Sequence, residues 1–151
     1  MKSNSLSTFF FFSAHKDPYE NIYCVVRGHK DIILFPPTDY PWLTTKVCSQ
    51  ALFVQDDESF HIKVLEDEPE IPWIEVDPLN PNLEKFPEYQ NAHPLKLRLN
   101  AGDALYLPSL WFHHLQQSQG CIAVNFWYDM EFDCKFNYFT FIKNLHSSLI
   151  K

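Results

Sequence analysis

At 151 residues and 17.9 kDa the chain has room for one domain around one core, a size at which about 70% of the unfolded surface can be buried. A composition 46% hydrophobic and 17% aromatic, with 14 Phe and 4 Trp, excludes a disordered polypeptide and points to a broad, sheet-lined interior. The net charge of −7, without clustered Lys and Arg, argues against nucleic acid as a direct partner and suits a basic protein substrate.

The chain opens MKSNSLSTFFFF. Its apolar part is too short for a secretory leader or a membrane span, and Phe9 to Phe12 are expected to form a buried strand leading into His15. His15 and Asp17 stand two residues apart on an extended segment, so their side chains point to one side and can share a metal ion. His113, 98 residues downstream, is the best third ligand. Two histidines and a carboxylate with open coordination positions are the ligand set of non-haem Fe(II) oxygenases, although a His-x-Asp pair alone is a weak signal.

Asn21 to Arg27 reads as a strand, and Gly28-His29 before Lys30 to Phe35 reads as a two-residue hairpin turn. That pairing sets Arg27 opposite Lys30 and Val25 opposite Ile32, so Asn21, Tyr23 and Lys30 share a face. If the face continues back to Asp17 and His15, a lysine points into the same interior as the metal pair. Pro36-Pro37 and Tyr40-Pro41 end this unit, and Trp42 to Gln55 is too mixed to place. Asp56-Asp57-Glu58 marks a turn before a strand from Phe60 to Leu65. The acidic run Glu66, Asp67, Glu68 and Glu70 reads as a solvated loop, with attraction of a basic substrate as the sharper alternative. From Ile71 to Pro94 five prolines predict an excursion with little regular structure, long enough to be a substrate-facing lid.

Leu95 to Leu99 alternates as a half-solvated strand should, and Asn100-Ala101-Gly102-Asp103 is its turn. Ala104 to Leu107, Trp111 to Gln117 and Cys121 to Tyr128 follow as strands. Trp111, Phe112, Phe126 and Trp127 are expected in the core, with His113 facing inward and His114 outward, beside the site or on the surface. Phe136 to Ile150 has the spacing of an amphipathic helix that packs on the barrel or on a second copy. Short strands with one terminal helix indicate an all-β antiparallel barrel or jelly roll. Cys24, Cys48, Cys121 and Cys134 form no C-x-x-C pair and read as reduced thiols of an intracellular protein, cytoplasmic or nuclear, with no membrane partner.

Together, His15-Lys16-Asp17, Asn21, Gly28-x-Lys30, Leu34-Phe35-Pro36-Pro37, Gly102 to Pro108, Trp111-Phe112-His113-His114 and Asn125 to Tyr128 resemble the Jumonji-C (JmjC) family of Fe(II)- and 2-oxoglutarate-dependent oxygenases. Within that family the likeness is to the small protein hydroxylases, in particular a lysyl hydroxylase also described as a peptidase. The resemblance implies an all-β double-stranded β-helix with a C-terminal helix. It implies His15, Asp17 and His113 as iron ligands, and Lys30 as the cation that pairs with the distal carboxylate of 2-oxoglutarate. Asn21 and Asn125 would line the site, with Trp127 beside it and Tyr23 on the same face. The implied cofactors are Fe(II) and 2-oxoglutarate, and the implied reaction is hydroxylation of a protein side chain, lysine above all, coupled to succinate formation. No activated nucleophile or H-E-x-x-H helix supports a peptidase.

Where the family carries a hydroxyl three residues before the first histidine, this chain has Phe12. Residues 1–14 are therefore expected to be an atypical lead-in, and 15–151 an N-terminally truncated JmjC domain with an incomplete barrel. The rival readings are a catalytically silent module that dimerises through Phe136–Ile150, and a cupin-like metal binder without 2-oxoglutarate.

Overall fold

The computed structural model describes residues 10–56 and 59–149, with the backbone alone for 10–13. Their elements run β1 (Phe10–Lys16), β2 (Tyr19–Arg27), β3 (His29–Phe35), β4 (Thr45–Cys48), β5 (Ala51–Gln55), β6 (Phe60–Val64), β7 (Ile71–Ile74), β8 (Leu95–Asn100), β9 (Ala104–Leu107), β10 (Phe112–Gln117), β11 (Ile122–Asp129) and α1 (Cys134–Leu149). Seven strands make two facing antiparallel sheets, ordered β1-β10-β3-β8 and β11-β2-β9. This is the expected double-stranded β-helix with a C-terminal helix. The expected buried phenylalanine strand begins within β1; Phe9 and the side chains of residues 10–13 lie outside the description.

The expected β2–β3 hairpin is not formed. β2 pairs with β11 and β9, whereas β3 pairs with β10 and β8, so the chain crosses from one sheet to the other at Gly28. Gly28 holds φ +76, and a Cβ there would lie 2.7 Å from Ser118 Oγ and 3.0 Å from Cys121 Cα. A glycine between two apolar runs serves a tight turn and a close-packed corner equally well, so local sequence does not separate them. The predicted shared face nevertheless exists. Tyr23 and Val25 of β2 meet Ile32 and Leu34 of β3 across the sandwich, inside one cluster with Leu99, Leu107 and Leu115.

Four of the seven positions of β3 are fully buried in succession, and β10 is buried from Phe112 to Leu115. The cause is a second layer on the outside of the larger sheet. Ala14, Ile33, Phe35 and Phe112 pack there against Leu43, Ile74, Val76, Phe86, Tyr89 and Phe139. Helix α1 is held by Phe139, whose ring lies 5.7 Å from Tyr40 and 6.3 Å from Phe112. Residues 39–93 form an excursion in which β4 pairs with β7 and β5 with β6: the unassigned stretch from Trp42 to Gln55 supplies two strands, and only Ile71–Ile74 of the expected irregular segment is a strand. Its ends are tied by Asp39, 1% exposed, which accepts from His93 N at 2.6 Å and from His93 Nδ1 at 3.0 Å.

Phe126 and Trp127 depart from the expected core, being 50% and 60% exposed. β11 is an edge strand, and among the described residues nothing pairs beyond it. All four cysteines are free thiols; Cys24 and Cys121 are half-buried.

Glu20 knots β2 to the turn after β9 and to the start of α1. It accepts from Tyr106 Oη at 2.6 Å, Ser109 Oγ at 2.8 Å, Ser109 N at 3.1 Å and Lys135 Nζ at 3.1 Å. Burial alone would raise its pKa, but these donors outweigh that and hold the carboxyl down at about 2. Glu20→Ala leaves Ser109 without its acceptor, so urea unfolding should show a loss of about 1–3 kcal/mol. The variant should also lack the stability that the parent loses between the ordinary carboxyl range near 4.5 and about 2 as pH falls.

Candidate metal centre

Three polar groups meet where β1 crosses β10. The register sets Phe12 opposite Leu115 and His15 opposite His113, so two residues of β1, Ser13 and Ala14, stand against His114 alone. This bulge changes the parity of β1 and turns His15 toward the barrel interior, on the face that His113 already occupies. Asp17 follows at the corner before Pro18. Its carbonyl accepts from Leu110 N at 3.0 Å, which ties the corner to the turn leading into β10. Leu110 is buried with φ +68, a left-handed conformation that a non-glycine residue adopts only under surrounding constraint.

The ligand atoms of His15, Asp17 and His113 lie within 4.8 Å of one another. Asp17 Oδ2 is 3.9 Å from His15 Nε2 and 3.7 Å from His113 Nε2, and the imidazole centroids are 4.3 Å apart. His113 Nδ1 sits 3.2 Å from the Trp111 carbonyl, which only accepts, so that nitrogen carries the proton and Nε2 turns its lone pair toward the cluster. Burial first, and the His15 ring second, push the His113 pKa down to about 4, so the ring is a neutral donor at physiological pH. His15 and Asp17 keep 25% and 33% of their side-chain surface exposed, leaving the centre open on one side. Two imidazole nitrogens and a carboxylate oxygen at these separations fit one divalent cation with positions to spare.

Around it, Asn21, Tyr23 and Lys30 are all buried. Lys30 Nζ donates to Tyr23 Oη and lies 4.6 Å from the Tyr23 ring centroid. Asn21 Oδ1 is buried with no hydrogen-bond partner, an acceptor that a bound group or water would satisfy. On β11, Asn125 stands opposite Tyr23 and Trp127 opposite Asn21, so both share the inward face. Asn125 is half-buried, while Trp127 sits at the open edge.

Two features escape the sequence reading. Trp73 of β7 lies over the His15 ring, nearly parallel at 10° with centroids 5.9 Å apart. Only the short alternation Ile71, Trp73 hinted at a strand there. His114 faces away from the metal cluster, as strand parity requires, yet it is 5% exposed with neither ring nitrogen hydrogen-bonded. The outer layer covers it, which parity within one strand does not reveal.

A family model for the cupin-like domain matches residues 10–134. The chain belongs to the cupin-like JmjC family. It is 49% identical over 135 residues to the human bifunctional peptidase and (3S)-lysyl hydroxylase JMJD7, an alignment that takes in 88% of this chain and 42% of that protein. It is 43% identical over 150 residues to JmjC domain-containing protein E of Dictyostelium discoideum, and 42% identical over 146 residues to lysine-specific demethylase JMJ32 of Arabidopsis thaliana. Those alignments take in 87% and 88% of this chain, and the chain spans 42% of the length of each of the three relatives.

In this JmjC chain the depressed pKa of His113 has a measurable consequence. Between about 4 and the ordinary 6.5 the unfolded histidine binds a proton that the folded one refuses. Stability of the metal-free protein should therefore be fully present above pH 6.5 and decline as pH falls toward 4. Urea midpoints at pH 7 and pH 5 measure it, and His113→Gln should lack that part of the slope.

Proposed function

We propose that this chain carries the metal and co-substrate site of an Fe(II)- and 2-oxoglutarate-dependent protein hydroxylase acting on lysine. The observation that carries the reading is the convergence of His15, Asp17 and His113 at one point, on the barrel face that also presents the buried ammonium of Lys30. His15, Asp17 and His113 would hold Fe(II), which together with 2-oxoglutarate supplies oxygen activation coupled to oxidative decarboxylation.

The chain's own residues do the rest. His113 pairs in register with Leu34, four residues along β3 from Lys30, a separation of ~13 Å between backbone positions. That spacing would let a short dicarboxylic acid span from the metal to the Lys30 side chain. The Lys30 ammonium neutralises the distal carboxylate, and the Tyr23 hydroxyl orients that ammonium. Asn21 offers its amide to groups at the metal. Ile32, Leu34 and Leu115 keep the floor dry, which strengthens every charge interaction above it. Trp73 covers His15 from the side. Lysine as the target residue is supported by the names of the human and Arabidopsis relatives, a lysyl hydroxylase and a lysine-specific demethylase.

Purified chain supplied with Fe(II) should form succinate from 2-oxoglutarate, and Asp17→Ala should reduce that rate by more than about 100-fold. Lys30→Ala should raise the KM for 2-oxoglutarate by at least about 30-fold while iron binding persists, because breaking a buried charge pair costs about 2 kcal/mol or more. A folded chain without metal-dependent succinate would favour the silent interaction module instead.

The proposal extends to self-association through α1, whose Tyr138, Phe141, Leu145 and Leu149 are exposed at spacings that form one stripe. Leu145→Glu should shift the mass measured by light scattering from dimer to monomer.

A further inference from the structure

The hairpin of β5 and β6 is the most exposed apolar structure among the described residues. Pairing sets Ala51 opposite Val64, Phe53 opposite Ile62 and Gln55 opposite Phe60, so these side chains share one face. Phe53, Phe60, Ile62 and Val64 on that face are 77%, 68%, 65% and 52% exposed. Neither strand pairs with any other described strand. A two-stranded ribbon is marginal in water, and a contiguous exposed apolar face marks an interaction site.

Charge defines the occupant. Residues 51–70 hold seven of the chain's nineteen carboxylates against one lysine, Lys63, and so account for −6 of the net −7. Glu66, Asp67, Glu68 and Glu70 are all exposed beside the hairpin. A second copy docking here would bring its own −6 against the first, and nucleic acid or an anionic membrane would be repelled in the same way. A basic polypeptide with apolar side chains matches both properties.

The position of the hairpin also fits. β4, β5, β6 and β7 are consecutive arms of one long ribbon: β7 carries Trp73 against His15, and Leu65 N donates to Gln50 O at 2.8 Å where the β4–β7 part passes into the β5–β6 part. The hairpin thus continues the ribbon that covers His15.

We propose that the hairpin face bearing Phe53, Phe60, Ile62 and Val64, with the acidic segment 66–70 beside it, docks a basic, apolar-patterned extended segment of the protein substrate. This rests on reading the chain as a protein hydroxylase. Apolar contacts supply the affinity, and the carboxylates select a lysine-bearing partner and raise its encounter rate.

The test is fluorescence anisotropy on the full chain with a labelled peptide alternating lysine with leucine, beside one alternating glutamate with leucine. Only the lysine peptide should bind, and added salt should weaken it. The double variant Phe53→Ser with Ile62→Ser should weaken binding about tenfold. Glu66→Lys with Glu68→Lys, which leaves the apolar face intact, should weaken it about tenfold as well. Asp17→Ala should bind the peptide like the parent. Equal binding of both peptides, binding unchanged in both double variants, or a change of oligomeric state in place of lost peptide binding would overturn the docking surface. Peptide binding that depends on the hairpin in a chain without succinate formation would sustain the docking surface and sink the hydroxylase reading. Normal succinate formation with hairpin-independent binding would do the reverse.

Discussion

The antiparallel pairing of β1 with β10 is the contact on which the candidate site depends, because it joins residues almost a hundred positions apart in sequence and does so through a bulge. One extra residue in β1 restores the inward face at His15, directly across from His113, and leaves Asp17 at the corner within 4 Å of both rings. β10 is in turn clamped between β1 and β3. β10 is shared by both ladders: its pairing with β1 places the two histidines, and its pairing with β3 fixes Lys30 relative to them, so the candidate metal position and the proposed co-substrate cation are set by the two neighbours of one strand.

A barrel interior that contains Asn21, Lys30 and His113 works against its own stability, since buried polar groups cost free energy wherever their partners are incomplete. The outer layer offsets this. Phe35, Phe112 and Phe139 bury aromatic surface on the far side of the same sheet, each a contribution of about 1.5–3 kcal/mol for a fully buried side chain. The excursion and α1 therefore brace the strands that carry His15 and His113 as well as covering them. The ribbon that emerges from that layer reaches the candidate site through Trp73 and ends in the apolar, acidic surface proposed to dock a substrate chain.

Much of the strand content could be read locally, because alternation and turn chemistry act over a few residues. Leu95 to Asn100, with its turn at Gly102, matches its expected bounds closely, and the three strands that follow fall where the apolar runs lie. The failures share one origin. Gly28-His29 has the local signature of a hairpin turn, yet neighbours in sequence say nothing about which sheet a strand joins. Phe126 and Trp127 look like core in any composition-based reading, yet β11 lies at an edge. Parity puts His114 on the outward face of its sheet, but the outer layer that buries it is remote in sequence.

The sequence by itself determined the residue types at the candidate site, the inward alternation of Asn21, Tyr23 and Lys30, the all-β class and the family resemblance, since these reside in residue identity and short-range periodicity. Only the tertiary structure decided that His15, Asp17 and His113 meet at one point, that β2 and β3 face each other across a sandwich, and that Trp73 closes over His15. Each of these is set by long-range register and by which surfaces remain to be covered once the strands have paired, and neither quantity is encoded in any local stretch of the chain.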